Sequence, residues 1–122
     1  MRAVILYNTS WYVYLLRRNL IRSLQSSGCE VTVVAPNDAY TERVKALGVH
    51  HIPITLHPRS LSPLDEARTL AGIYSALKRA RPDAVLSFTA KCNVYAGLLR
   101  RTLGFRQIAN VSGLGEGFQR SG

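Results

Sequence analysis

Residues 84–111 read AVLSFTAKCNVYAGLLRRTLGFRQIANV. Ala84 to Phe88 is a short apolar run of the kind a buried strand requires. Asn93 to Leu103 reads as a helix, and Gly104 stops it. Arg106 to Val111 returns to strand. A strand, a helix and a second strand in this order form a crossover unit whose two strands run parallel.

The same alternation extends to the start of the chain. Arg2 to Tyr7 is apolar and reads as the first strand, with Asn8, Thr9 and Ser10 ending it. That apolar run is too short for a signal peptide. Ser10 is placed to cap a helix running to about Ser27, with Gly28 as its stop and Leu16, Leu20 and Leu24 as its buried stripe. Glu30 to Ala35 is the second strand, Tyr40 to Leu47 a short helix closed by Gly48, and Val49 to Ile54 the third strand. After a loop from Thr55 to Leu61, Ser62-Pro63-Leu64-Asp65 starts a helix that ends near Ala80. Serine can cap there, proline suits the first helical position, and acids suit the first turn. Arg81-Pro82-Asp83 breaks that helix before the Ala84 strand. The fold class is therefore α/β: three layers around a mostly parallel sheet of about five strands, in one domain over residues 1–122.

Composition limits the function classes. The 122 residues are 47% hydrophobic and 19% charged, as in a globular protein with a single core. No apolar run approaches the length of a membrane span. Cys29 and Cys92 lack metal-ligand spacing and read as two reduced thiols, so no metal site is expected. The net charge of +9 is mostly arginine, grouped at Arg17/Arg18/Arg22, Lys78/Arg79/Arg81 and Arg100/Arg101/Arg106. Such a surface attracts phosphate, whether in nucleic acid, in anionic lipid or in nucleotide-linked substrates.

In open parallel sheets ligands bind beyond the carboxyl ends of the strands. That rule selects Asn8-Thr9-Ser10, Thr89-Ala90-Lys91-Cys92-Asn93 and Ser112-Gly113-Leu114-Gly115, with the loop around His57 at the edge. The first loop is not a dinucleotide fingerprint, and no phosphate-loop lysine motif occurs. The alternate glycines Gly113, Gly115 and Gly117 suit either a flexible turn or a close backbone approach to a ligand. Lys91 is placed to neutralise a phosphate or carboxylate, or else it is a solvated loop lysine. Of the neighbouring histidines His50 and His51 within one strand, one must face solvent, and both read as structural. Trp11, Tyr12 and Tyr14 precede Arg17 and Arg18 by about a turn. They read as core packing with a solvated edge, as a membrane-docking patch of rings and arginines, or as a surface suited to single-stranded nucleic acid.

Taken in order, several segments resemble the N-terminal domain of family-4 glycosyltransferases of the GT-B architecture, in the group that extends lipid-linked oligosaccharides for capsule, lipopolysaccharide or protein glycosylation. The segments are Asn8-Thr9-Ser10-Trp11-Tyr12, Val33-Val34-Ala35-Pro36 with Tyr40, Leu47-Gly48-Val49 and Ser60-Leu61-Ser62-Pro63-Leu64. Arg81-Pro82-Asp83, Phe88 to Gly97 and Ala109 to Gly115 complete them. The resemblance covers essentially the whole chain. It implies a Rossmann-like acceptor-side domain, with the nucleotide-sugar donor held mainly by a C-terminal domain that this chain does not contain. It further implies transfer of a sugar from a nucleotide-sugar to a lipid-linked or saccharide acceptor, at the cytoplasmic face of the plasma membrane. Asn8, Thr9, Ser10, Lys91, Asn93, Ser112, Gly113, Leu114 and Gly115 would line the acceptor or phosphate side. Trp11, Tyr12, Tyr14, Arg17 and Arg18 would dock on anionic lipid.

No cofactor is expected, and the chain alone is expected to be inactive. An exposed cleft wall would favour self-association. Many family members carry a histidine after the fourth or fifth strand. Here those places hold Ser87-Phe88-Thr89 and Asn110-Val111-Ser112-Gly113, so no catalytic base carries over. The family's glycine pair in the first loop is replaced by Asn8-Thr9-Ser10. Two rival readings are a non-catalytic membrane-docking subunit of a split transferase and a basic nucleic-acid-binding module.

Overall fold

The computed structural model describes residues 1–8, 10, 13–14, 17–55 and 62–110. Five strands form one sheet: β1 (Arg2–Leu6), β2 (Glu30–Ala35), β3 (His50–Pro53), β4 (Ala84–Phe88) and β5 (Arg106–Asn110). Their order is β3-β2-β1-β4-β5, and every adjacent pair is parallel. The helices are α1 (Arg18–Ser26), α2 (Thr41–Lys45), α3 (Pro63–Ala80) and α4 (Ala90–Leu103).

The central strands are apolar at nearly every position because both faces of the sheet are covered. Alternate residues of β1 enter different cores. Val4 and Leu6 join Val34, Val85, Ile73, Leu77, Tyr95 and Leu99 beneath α3 and α4. Ala3 and Ile5, with Tyr7 just beyond the strand, join Val33, Ala35, Ile21, Val44 and Phe88 on the side of α1 and α2. Register is thereby locked, since a one-residue slip would exchange two different sets of side chains.

The fold class matches expectation, and the boundaries differ at identifiable places. The first long helix is interrupted. Ser10, Val13 and Tyr14 are helical, but Arg17 stands at φ −120° and ψ 12°, outside helical geometry, and α1 begins only at Arg18. The expected leucine stripe is also displaced. Ile21 is the fully buried residue of α1, Leu20 and Leu24 are half-buried beside it, and Leu16 lies outside the described residues. The short helix covers Thr41–Lys45, and the third strand His50–Pro53, narrower than expected. Pro53 is tolerated because β3 pairs only with β2 and stands at the sheet's edge.

The largest boundary change follows β4. Thr89 takes φ 76° and ψ 153°, so the chain turns sharply and α4 starts at Ala90 rather than Asn93. The expected five-residue loop shrinks to Thr89. At the other end, Gly104 closes α4 at φ 74°, a conformation that glycine adopts without strain.

Ile73 has no exposed surface and fills the space between α3 and the sheet. Ile73→Ala is expected to lower unfolding free energy by about 2–5 kcal/mol, the usual cost of an unfilled core cavity. Urea denaturation with an unchanged m-value is the check.

Candidate functional site

The carboxyl edge of the sheet gathers the residues that follow β1, β2 and β4. Asn8 is exposed there. Ser10 has no exposed surface. Its hydroxyl donates to the Pro36 carbonyl at 2.8 Å and lies 2.9 Å from His51 Nε2. A carbonyl can only accept, so the single hydroxyl proton goes to Pro36 and His51 Nε2–H donates to Ser10. That assigns the tautomer and leaves Nδ1 as the lone-pair nitrogen. Nδ1 is buried and has no partner among the described residues. Burial pushes the His51 pKa down, Lys45 adds to the effect, and Asp38 and Glu42 oppose it. His50, its neighbour, is the exposed member of the pair, as strand alternation requires, and lies 3.5 Å from Glu30. Ser10 thus ties the first loop to the end of β2, through Pro36, and to His51 within β3.

Lys91 and Asn93 lie in the first turns of α4, and each is engaged by a neighbour. Lys91 Nζ donates to Glu66 Oε1 at 2.8 Å, and the Tyr95 hydroxyl donates to Glu66 Oε2. Both oxygens of one carboxylate on α3 are therefore held by α4. Lys91 and Glu66 are each over one-third exposed, so water screens the pair and it adds little stability. Burial and donation to Glu66 push the Tyr95 phenol up to about 12, so it remains a proton donor at neutral pH. Glu66, Lys91, Val94 and Tyr95 line a small cavity of about 190 Å³.

Asn93 Oδ1 accepts from the Ser87 hydroxyl at 2.7 Å. Gln107 Nε2 donates to the Asn93 carbonyl at 2.9 Å and approaches Ser87 Oγ at 3.3 Å. These bonds join β4, α4 and β5. Cys92 beside them is fully buried, and burial pushes its thiol pKa up. Among the described residues, no group of three or more His, Cys, Asp or Glu could hold a metal ion.

The expected aromatic and basic patch divides. Arg18 lies over Tyr14, 4.7 Å from its centroid. Arg43 stands 4.8 Å from the Tyr40 centroid and 5.9 Å from that of Tyr14, and the two rings are 5.7 Å apart. Arg17 instead turns to the sheet, 4.5 Å over Phe88, which stacks on Tyr7 at 5.0 Å. Thr9, Trp11, Tyr12, His57, Ser112, Gly113, Leu114 and Gly115 lie outside the described residues.

Sequence reasoning missed Glu66, Tyr95, Gln107 and the bond from Ser10 to His51. Only Gln107 carried a visible signal, as a polar residue in mid-strand. A larger cavity of about 410 Å³ lies among Arg2, Glu30, Thr32, His50, His51, Ile52, Arg79, Ala80 and Arg81. It includes the start of β1 and β2 and the end of α3, so it opens at the amino edge, away from where parallel sheets bind ligands.

The five-stranded parallel fold is that of GT-B glycosyltransferase domains. MurG of Acinetobacter baumannii superimposes with a TM-score of 0.69 at 19% identity, over 90% of this chain and 33% of that one. The lipopolysaccharide outer core galactosyltransferase WaaB gives a TM-score of 0.65 at 18% identity, over 91% of this chain and 32% of that one. The pattern of the glycosyl transferase 4-like domain matches residues 15–121, and the chain belongs to that family. A Campylobacter jejuni protein, N,N'-diacetylbacillosaminyl-diphospho-undecaprenol alpha-1,3-N-acetylgalactosaminyltransferase, is 28% identical over 117 residues, which cover 94% of this chain. Those residues are 31% of that protein, so the chain spans about a third of its relative's length.

The Ser10 tie gives two expectations. Ser10→Ala should cost about 1–3 kcal/mol, because Pro36 and His51 each lose a buried partner. His51 titrates below the ordinary imidazole value of 6.5, so the unfolded chain binds more protons than the folded one as pH falls below that value. Stability should be full above it and fall on acidification towards the folded pKa. Urea midpoints at neutral and mildly acidic pH should differ more for the native protein than for His51→Gln, which keeps a donor but cannot titrate.

Proposed function

We propose that this chain is the acceptor-side domain of a glycosyltransferase that moves a sugar from a nucleotide-sugar to a lipid-linked or saccharide acceptor. The pathway would be synthesis of cell-surface polysaccharide or glycoconjugate, at the cytoplasmic face of the plasma membrane. The observation that carries this reading is the family match over residues 15–121. It is strengthened by a relative named for a diphospho-undecaprenol-linked acceptor. The donor would be held by a second domain, as the relative's greater length suggests.

In this reading Asn8, Thr9, Ser10, Lys91, Asn93 and Ser112 to Gly115 border the acceptor. Ser10 and Asn93 hold the edge in shape through their bonds to His51 and Ser87. Lys91, half-exposed beside Val94 and Tyr95, offers a cation already oriented by Glu66. Trp11, Tyr12, Tyr14 and Arg18, joined by Tyr40 and Arg43, would meet anionic lipid. The interleaved rings and guanidiniums described above suit a membrane interface. Among the described residues no helix is long and apolar enough to cross a membrane. Leu64, Val94 and Leu98 are each more than half exposed and would supply the surface for self-association.

The test is an assay of this domain joined to, or mixed with, its donor-side domain. Labelled nucleotide-sugars are supplied with a polyprenyl-diphosphate-linked sugar. Label should move to the lipid acceptor, and the 122-residue chain alone should give no turnover. Lys91→Ala should lower acceptor kcat/KM by roughly tenfold, about the worth of one partly solvated charge-assisted hydrogen bond. Absence of transfer from every nucleotide-sugar would overturn the enzyme reading. Unchanged acceptor kinetics in Lys91→Ala would remove Lys91 from the site.

A further inference from the structure

We propose that Arg17 is a diphosphate-binding residue, held on an aromatic shelf at the carboxyl edge of β1 and β4. Its backbone leaves helical geometry just before α1. Its guanidinium lies 4.5 Å over Phe88, which in turn stacks on Tyr7, and both rings are almost wholly buried. The Arg17 side chain is half-buried. Its Nε–H is buried and has no hydrogen-bond partner among the described residues. No carboxylate among them stands within ion-pair distance of it.

This arrangement is costly without a ligand. A buried N–H with no acceptor costs about 1–3 kcal/mol, and a solvated arginine would avoid that cost by turning outward. Stacking occupies the face of the guanidinium and leaves its in-plane N–H groups free. Those groups form the planar fork that binds two oxyanion oxygens at once. The shelf fixes the fork in advance, so little side-chain entropy is lost when an anion arrives. Arg18 and Arg43, by contrast, lie on the half-buried rings Tyr14 and Tyr40.

The ligand class rests on the glycosyltransferase reading, in which donor and lipid-linked acceptor both carry a diphosphate. Either could supply the anion. The test follows the arginine Nε–Hε NMR signals of the 122-residue chain during titration with inorganic pyrophosphate, UDP or geranyl pyrophosphate at fixed ionic strength. The Arg17 signal, identified by its loss in Arg17→Lys, should move saturably. Arg17→Lys keeps the charge but not the fork, and should weaken binding by about tenfold or more. Preference for UDP would assign the donor, and preference for geranyl pyrophosphate the acceptor.

The proposal is overturned if the Arg17 signal stays fixed while other arginines respond, or if Arg17→Lys binds as well as the native chain. Should the variant fail to fold, the native spectrum decides, with the Arg17 signal assigned by through-bond correlation to its backbone. Pyrophosphate binding at Arg17 without sugar transfer by the two-domain assembly would uphold this inference and defeat the transferase reading. Transfer with a silent Arg17 would do the reverse.

Discussion

A parallel ladder cannot be closed by tight turns. Each of the four connections between successive strands must be a crossover that carries the chain back to the amino edge. All segments that leave the strands therefore emerge at one edge, and all that enter them lie at the other. This constraint brings Asn8, Ser10, Pro36, Thr89 and Lys91 to one side of the molecule, although they span more than 80 positions of sequence. It also obliges both sheet faces to be covered, which explains central strands that are apolar at nearly every position.

Within that frame, the distribution of charge matters more than its total. Lys78 and Arg79 occupy the last turn of α3, and Arg100 and Arg101 the last turn of α4. Cations are favoured there by the helix dipole. These positions lie at the amino edge, so much of the +9 excess has a structural explanation away from the site. At the carboxyl edge the described cations stand in more specific settings. Lys91 is engaged by Glu66, and Arg18 and Arg43 ride on tyrosines. Arg17 combines partial burial, a ring beneath it and a donor with no acceptor among the described residues.

The fold was legible because its signals are local and repeated. Proline after serine marked the start of α3, glycine marked the end of α4, and apolar runs marked the strands. The site was legible only as an edge. The Ser10–His51 bond joins residues 41 positions apart and exists only because β3 pairs with β2. Glu66 was already explained as an acid in the first turn of a helix, so its hold on Lys91 and Tyr95 left no separate mark. The break at Arg17 has neither glycine nor proline to announce it. Leucines on either side keep helical spacing, and Arg17 and Arg18 look equivalent until the backbone separates them.

That separation bears on how such a domain can serve two partners at once. A transferase working on a lipid-linked acceptor needs cations that meet a membrane loosely and cations that hold a phosphate firmly. A loose contact tolerates exposed, half-stacked guanidiniums, because lipid head groups move and the surface potential acts on charge alone. A firm contact needs a fixed fork in a partly desolvated place. Adjacent residues on a regular helix point about 100° apart, and the break at Arg17 changes that relation. In the proposed reading Arg17 and Arg18 would supply both kinds from consecutive residues, with Arg18 outward over Tyr14 and Arg17 inward over Phe88.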